Sequence, residues 1–130
     1  MTLQTLLFEP TLARSPLRVL QWWERRRPLY NVAVGTVGFG TIAYAELVSL
    51  VARGQWLGFQ WQVILAYGLV ANLFYTLGPL VELAVERWLK RPLYGLGPAL
   101  FRHGLVFSIG LTLFPAAVVT ILAIGGLLFP

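Results

Sequence analysis

Three long apolar stretches, separated by short polar segments, dominate the pattern of the chain. They cover about residues 28–52, 61–85 and 104–129. Each is longer than the roughly 20 helical residues that cross the hydrocarbon core of a bilayer. The pattern therefore predicts an all-α integral membrane protein with three transmembrane helices, in which a polar segment, residues 1–27, precedes a single transmembrane domain, residues 28–130.

A proline, Pro115, lies inside the third apolar stretch. Proline removes a backbone hydrogen-bond donor and crowds the preceding turn, so it kinks a helix. Two crossings joined by a turn would need roughly 40 residues, and the stretch from Gly104 to Phe129 has 26. We therefore expect one transmembrane helix that is kinked at Pro115, with a re-entrant hairpin as the alternative.

The N-terminal segment carries the pattern of a short amphipathic helix. Ser15 and Pro16 are typical of a helix start, because serine caps the first free N–H groups and proline suits the first helical position. Leu17, Leu20 and Trp23 then recur at helical spacing, with arginines between them. This pattern predicts a helix that lies in the membrane interface rather than across it.

Composition agrees with a membrane protein and excludes several kinds of site. Hydrophobic residues make up 58% of the chain and charged residues 12%, with a mean hydropathy of +0.73, whereas a soluble domain usually has about 25% charged residues. The chain has no cysteine and one histidine, so it lacks the ligand set of a thiolate or zinc site. We expect no metal and no cofactor.

Basic residues are distributed unevenly around the three stretches. Of the ten Lys and Arg residues, nine lie before the first stretch or between the second and third, and only Arg53 lies in the other link. The positive-inside rule therefore predicts a cytoplasmic N-terminus and a C-terminus outside, with a bacterial inner membrane as the expected location. The net charge of +5 is expected to meet anionic lipid head groups and not nucleic acid.

A basic and aromatic cluster directly precedes the first span. It consists of Trp22, Trp23, Arg25, Arg26 and Arg27. Tryptophan is enriched at head-group depth, and arginine is attracted to an anionic leaflet. We expect these five side chains to contact lipid head groups.

Small and polar side chains recur along the second span at alternating steps of four and three. The positions are Trp61, Leu65, Gly68, Asn72, Tyr75, Pro79, Glu82 and Glu86. This spacing places them on one helical face. Because a polar face is unfavourable against lipid, the stripe is predicted to face other helices as a packing seam, with a hydrated path as the alternative.

Glu46 is an acidic residue inside the first span. It lies seven residues before the break at Arg53, and hence about 10 Å inside the predicted outer end. Tyr67 is expected at a similar depth on the next helix. With Asn72, Tyr75 and Glu82, these two residues form a candidate ion or proton site. The alternative for Glu46 is a structural carboxyl or a contact with another subunit.

Charged residues also cluster where the second and third spans approach the predicted inner face. Glu82 and Glu86 are one helical turn apart, and Arg102 and His103 precede the third apolar stretch. We expect ion pairs that hold the inner ends of these helices together. A haem or another pigment bound to His103 is the alternative.

Small residues form ridges with a spacing of four on the first and third spans. The ridges are Thr41, Ala45 and Ser49, and Ser108, Thr112, Ala116 and Thr120. Such ridges allow close helix packing, and they exceed what three helices need among themselves.

The chain has no nucleophile–base pair and no phosphate-binding loop, so we do not expect an enzyme. The predicted function is a small accessory or assembly subunit of a larger membrane complex, or a homo-oligomer, in contact with other membrane subunits or with copies of itself. The alternative is a small oligomeric transporter or channel that uses the intramembrane carboxylate of Glu46 and the polar stripe of the second span.

Overall fold

The computed structural model describes residues 1–12, 15–58 and 60–128, and this part of the chain contains helices and no strand. The helices are α1 (Leu3–Phe8), α2 (Pro16–Glu24), α3 (Arg27–Arg53), α4 (Trp61–Leu89) and α5 (Leu96–Leu128). Three stretches are long and apolar enough to cross a membrane. They are Pro16–Arg53, which joins α2 to α3, Trp61–Leu89 and Leu96–Gly126. An all-helical chain with three helices of membrane-spanning length is therefore confirmed.

The first two spans lie close to their predicted limits. Helix α3 ends at Gly54, which has the left-handed φ of 66° and donates its N–H to the carbonyl of Leu50 over 2.9 Å. Glycine adopts this conformation at little cost, so it is a common helix stop. Helix α4 also ends at a residue in the left-handed conformation, Lys90, with φ of 53°.

Two short helices occupy the N-terminal segment. Helix α2 has Pro16 in its first turn, and the Ser15 side chain accepts a hydrogen bond from the N–H of Arg18 over 3.4 Å. Helix α1 is not predicted by the sequence pattern, because six residues are too few to show a helical period.

Helix α5 begins eight residues earlier than the predicted third span. Leu96, Gly97 and Pro98 form its first turn. A proline is tolerated there because the first N–H groups of a helix have no partner within it. The helix also continues through Pro115 as one element, so the re-entrant hairpin is wrong.

The third span, α5, links the other two spans, α3 and α4. Helix α5 packs most extensively against α3 and less against α4, while α3 and α4 touch little although they follow each other in the sequence. Helix α2 packs on α4, and α1 packs on α5. The short helices therefore surround one end of the bundle, where α3 begins and α4 ends, and we name it the α2 end.

The buried core is small and lies mainly at the α2 end. Its members are Val19, Trp22, Trp23, Tyr30, Val34, Tyr75 and Phe101. Many large apolar side chains of α4 and α5 are exposed, among them Leu69, Leu73, Phe107 and Phe114. Such a surface is favourable against lipid tails and costly in water. It therefore agrees with a protein that is embedded in a membrane.

Candidate functional site

Trp23, Tyr75 and Glu82 form a buried polar cluster at the α2 end. The indole Nε1 of Trp23 donates a hydrogen bond to Oε2 of Glu82 over 2.7 Å. The hydroxyl of Tyr75 donates to the backbone carbonyl of Trp23 over 2.6 Å. The three residues are only 2–5% exposed. Because an unpaired carboxylate is costly to bury, the indole N–H helps to hold Glu82 in the interior.

Two glycines bring neighbouring backbone close to this cluster. A Cβ atom at Gly78 of α4 would overlap the six-membered ring of Trp23, and one at Gly97 of α5 would lie 2.7 Å from Oε2 of Glu82. A side chain at either position would force its neighbour to move. The two glycines therefore let α2 and α5 approach α4 at the depth of the cluster.

Arg26 fastens α1 to the rest of the protein. Its guanidinium donates hydrogen bonds to the carbonyls of Thr5 over 2.8 Å, of Leu6, and of Glu9 over 3.1 Å. Nε1 of Trp22 also donates to the carbonyl of Glu9, over 2.8 Å. The last carbonyls of a helix lack partners within it, and a cation near them is favourable. Arg26 therefore caps the C-terminal end of α1.

These contacts correct the predicted lipid-binding cluster. Trp22, Trp23 and Arg26 are 8%, 3% and 2% exposed, so they contact protein groups rather than lipid head groups. Arg25 is exposed and Arg27 is partly exposed. The sequence did not distinguish the side chains that pack on protein from those that are exposed. The reason is that a surface in contact with protein and a surface in contact with lipid both favour tryptophan.

Arg27 connects the start of α3 with α4. It forms an ion pair with Glu24, with Nη2 and Oε1 2.7 Å apart. Its Nη1 donates to Oδ1 of Asn72 over 3.3 Å, and its Cζ lies 4.9 Å from the ring centroid of Tyr75. A solvent-exposed ion pair of this kind contributes little to stability, so the contacts with α4 are the main structural role of Arg27.

Glu46 lies away from the α2 end and binds the loop that follows α3. Its Oε2 accepts a hydrogen bond from the backbone N–H of Leu57 over 2.9 Å. Tyr67, the predicted partner, instead hydrogen-bonds to the hydroxyl of Thr112 on α5. The predicted pair does not form, because the chain turns back after Gly54 and brings a backbone donor to the carboxylate.

Three of the four residues predicted to pair at the inner ends of the helices make other contacts. Glu82 accepts from the indole described above, and Oε1 of Glu86 accepts from the N–H of Leu93 over 2.9 Å. Arg102 lies over an aromatic ring of α1, 4.5 Å from its centroid, and His103 is exposed. Within the described ranges, neither glutamate forms an ion pair with Arg102 or His103. The earlier start of α5 moves both of these residues into its second turn.

The stripe predicted on the second span faces the bundle over only part of its length. The buried residues of α4 are Tyr75, Pro79 and Glu82, which all belong to the stripe. Trp61 and Leu65, at the other end, are 55% and 57% exposed. The stripe is therefore a packing seam near the α2 end and an open surface farther away.

The sequence alone did not predict that tyrosines would pair with the hydroxyl ridge of α5. Tyr30 pairs with Ser108 over 2.9 Å, Tyr67 pairs with Thr112, and Tyr44 pairs with Thr120 over 2.7 Å. The two ridges predicted from small residues thus use most of their hydroxyl groups inside the chain. One sequence feature could have indicated these pairs, because the separation between Tyr30 and Tyr44 is similar to that between Ser108 and Thr120.

A cleft of about 410 Å³ separates α3 from α4. Its lining includes Asn31, Gly35, Gly38, Thr41, Gly68 and Asn72. A Cβ atom at Gly35 or Gly68 would meet no atom within 4 Å. The side chain of Asn31 is exposed and has no hydrogen-bond partner in the part of the chain that the structure describes. The cleft therefore combines open backbone with an amide that has unused donors and acceptors.

A second cleft, of about 330 Å³, lies between α4 and α5. Aromatic rings form much of its wall, among them Tyr30, Phe74, Tyr75 and Phe107. Tyr67 lines both clefts. The hydroxyls of Tyr30 and Tyr75 are already hydrogen-bonded within the chain, so this cleft presents a mainly apolar wall.

No group of three or more metal-ligating side chains occurs among the described residues. The contacts described above are those of packed helices, with buried polar contacts at the α2 end and an open cleft between α3 and α4. Comparisons with models of protein families, with characterised proteins and with solved structures find no match.

Proposed function

We propose that this chain is a small accessory or assembly subunit of a larger membrane complex, or a homo-oligomer, and that a transmembrane helix of another subunit or copy occupies the cleft between α3 and α4. The observation that carries the proposal is the open glycine surface of that cleft. Helices associate in membranes mainly through close van der Waals packing and interhelical hydrogen bonds, since lipid removes the hydrophobic driving force.

The lining of the cleft fits a helix better than it fits lipid tails. Gly35 and Gly68 leave room for the backbone of a neighbouring helix to approach closely. Asn31 offers an amide that lipid tails cannot satisfy, and an amide in an apolar environment is costly without a hydrogen bond. A partner helix with a hydroxyl or amide side chain at the matching depth would supply that bond.

Blocking the cleft tests this proposal. In Gly68→Leu the new side chain fills the space above the glycine, whereas Gly40→Leu places the same side chain in open space on α3 outside the cleft lining. Native mass spectrometry after gentle extraction from the native membrane should show assembly lost in the first variant and retained in the control. Unchanged assembly in Gly68→Leu would overturn the proposal, and the masses distinguish a homo-oligomer from a complex with other subunits.

A second candidate function is an oligomeric transporter or channel. It is favoured by the polar side chains of Asn31, Thr41 and Asn72 in the same cleft. Glu46 is not among the residues that line this cleft. Ion flux in proteoliposomes that is abolished by Asn72→Leu, with assembly intact, would support transport. Flux that does not depend on the protein would remove this candidate.

The proposal includes a placement in the membrane. Helix α2 lies in the interface, anionic lipids contact that side of the protein, and α5 bends at Pro115 as it crosses. The N-terminus is cytoplasmic and the C-terminus is outside, in a bacterial inner membrane, because nine of ten basic residues lie on one side. Protease protection of tagged termini in membrane vesicles tests the orientation.

A further inference from the structure

Helix α2 has three distinct sides. Val19, Trp22 and Trp23 are buried against the bundle. Leu17 and Leu20 are 64% and 40% exposed, although both are large and apolar. At 100° per residue, they lie on the side away from the bundle and on one flank of the buried face.

Two arginines occupy the opposite flank. Arg18 and Arg25 are exposed, and by helix geometry they lie roughly 140–160° around the axis from Leu20. Neither guanidinium has a hydrogen bond or an ion pair within the described ranges. Glu24, the only acidic residue of α2, is already paired with Arg27. By the same geometry, Glu24 lies between Leu17 and Leu20. The exposed surface of α2 therefore has one flank with two large apolar side chains and a paired carboxylate, and one flank with unpaired positive charge.

The fold holds α2 beside the membrane-spanning helices. Its last residue, Glu24, is three residues from Arg27, where α3 begins, a distance of at most about 10 Å along an extended chain. The hydrogen bond from Trp23 to Glu82 attaches α2 to α4 as well. Both exposed flanks are therefore fixed in orientation relative to the membrane-spanning helices.

We propose that Leu17 and Leu20 insert among the acyl chains of the adjacent leaflet, while Arg18 and Arg25 bind the phosphate groups of anionic lipids in that leaflet. The proposal rests on the interfacial position of α2 and names the residues that carry it. These four residues take the place of Trp22, Trp23 and Arg26, which are buried, as the side chains expected to contact lipid. An apolar flank beside a basic flank is the pattern of helices that lie in the plane of a membrane surface.

The absence of cysteine from the chain allows single-label experiments. A nitroxide is attached at Leu17→Cys, Leu20→Cys, Arg18→Cys or Arg25→Cys in the full chain, reconstituted in vesicles of phosphatidylcholine and phosphatidylglycerol. Collision with oxygen reports acyl-chain depth, and collision with a water-soluble nickel chelate reports the aqueous side. Leu69→Cys, which is exposed on α4, and Lys90→Cys, which is exposed after α4, are the lipid and water controls.

The leucine labels should resemble the lipid control, and the arginine labels should resemble the water control. Exposure of all four labels to nickel would overturn both the interfacial position and the residue assignment. A reversed pattern would overturn the assignment and keep the interfacial position. Leucine labels that are shielded from both reagents would show a protein partner on this flank and would also overturn the lipid assignment.

The head-group part has a separate test. Association of spin-labelled phosphatidylglycerol, relative to phosphatidylcholine, should fall by about fivefold for each arginine that is removed in Arg18→Gln and Arg25→Gln. The variants Arg18→Lys and Arg25→Lys should keep the preference, because the charge is retained. An unchanged lipid preference in the glutamine variants would overturn the phosphate contact.

Discussion

The indole of Trp23 and the carboxylate of Glu82 meet across 59 residues of sequence through a single hydrogen bond of 2.7 Å. The contact joins a nine-residue helix to a 29-residue one. Helices as short as α2 are marginal alone, so its position depends on such tertiary contacts. The same pair fixes the direction in which Leu17 and Arg18 face, and it therefore underlies the proposed lipid contacts.

Removing the indole donor should destabilise the protein. In Trp23→Phe the ring remains aromatic, but Glu82 loses the indole N–H as one of its partners, and the loss of a hydrogen bond costs about 0.5–1.5 kcal/mol. Unfolding by sodium dodecyl sulfate in mixed micelles, followed by circular dichroism, measures the loss. Trp88→Phe is the control, because Trp88 is 82% exposed. Equal stability of the two variants would contradict the structural role of the hydrogen bond.

The close approach at Gly78 should be intolerant of a methyl group. Gly78→Ala places Cβ against the ring of Trp23, and forcing extra atoms into a packed contact costs about 1–3 kcal/mol. Gly110→Ala, at an open and exposed position of α5, should show no loss, because alanine is the better helix former. The free energy of unfolding measures both effects. A stable Gly78→Ala variant would show that α2 can move away from α4 without cost.

The positions of the spans could be predicted because length and hydropathy report directly on contact with lipid. Residues 61–85 fall within α4, and residues 28–52 fall within α3. The start of α5 could not be placed, because Gly95, Gly97 and Pro98 are typical both of a turn and of a first helical turn. In the structure Gly97 packs closely against Glu82, a tertiary contact that the local sequence pattern does not show.

The partners of individual polar residues were less predictable than the helices. Glu46 binds the N–H of Leu57, a contact that depends on how the loop folds back and not on helical depth. The position of Arg26 depends on α1, whose six residues carry no periodic signal. The partners of these side chains therefore depend on the path of a loop and on the position of a short helix. Neither can be predicted from composition and spacing.

Loss of the Arg26 cap should release α1. In Arg26→Ala the carbonyls of Thr5, Leu6 and Glu9 lose the guanidinium. The Thr5 carbonyl keeps the N–H of Glu9, and the Glu9 carbonyl keeps the indole N–H of Trp22. Hydrogen bonds to a charged group contribute about 1.5–3 kcal/mol. Hydrogen–deuterium exchange of residues 3–9 should therefore accelerate by about tenfold or more, since 1.4 kcal/mol corresponds to a factor of ten. Exchange within α3 should change little.

Arg25→Ala is the matched control for the release of α1. Arg25 is the exposed neighbour of Arg26, and its guanidinium donates no hydrogen bond to a carbonyl of α1. Its exchange pattern over residues 3–9 should match that of the unaltered chain. Equal acceleration in both arginine variants would mean that α1 is held by net charge and not by the cap.

The hydroxyl contacts between α3 and α5 should be energetically coupled in pairs. A double-mutant cycle of Tyr30→Phe and Ser108→Ala should give a coupling of about 0.6 kcal/mol, the mean for interhelical hydrogen bonds in a membrane. Tyr30→Phe with Thr120→Ala should be additive, because the hydroxyl of Thr120 pairs with Tyr44 instead. The free energies come from unfolding in mixed micelles. Zero coupling between Tyr30 and Ser108 would mean that apolar packing alone sets the register of α3 on α5. A measurable coupling would instead show that these two hydroxyls stabilise packing within the single chain, so that they are not available to a partner helix.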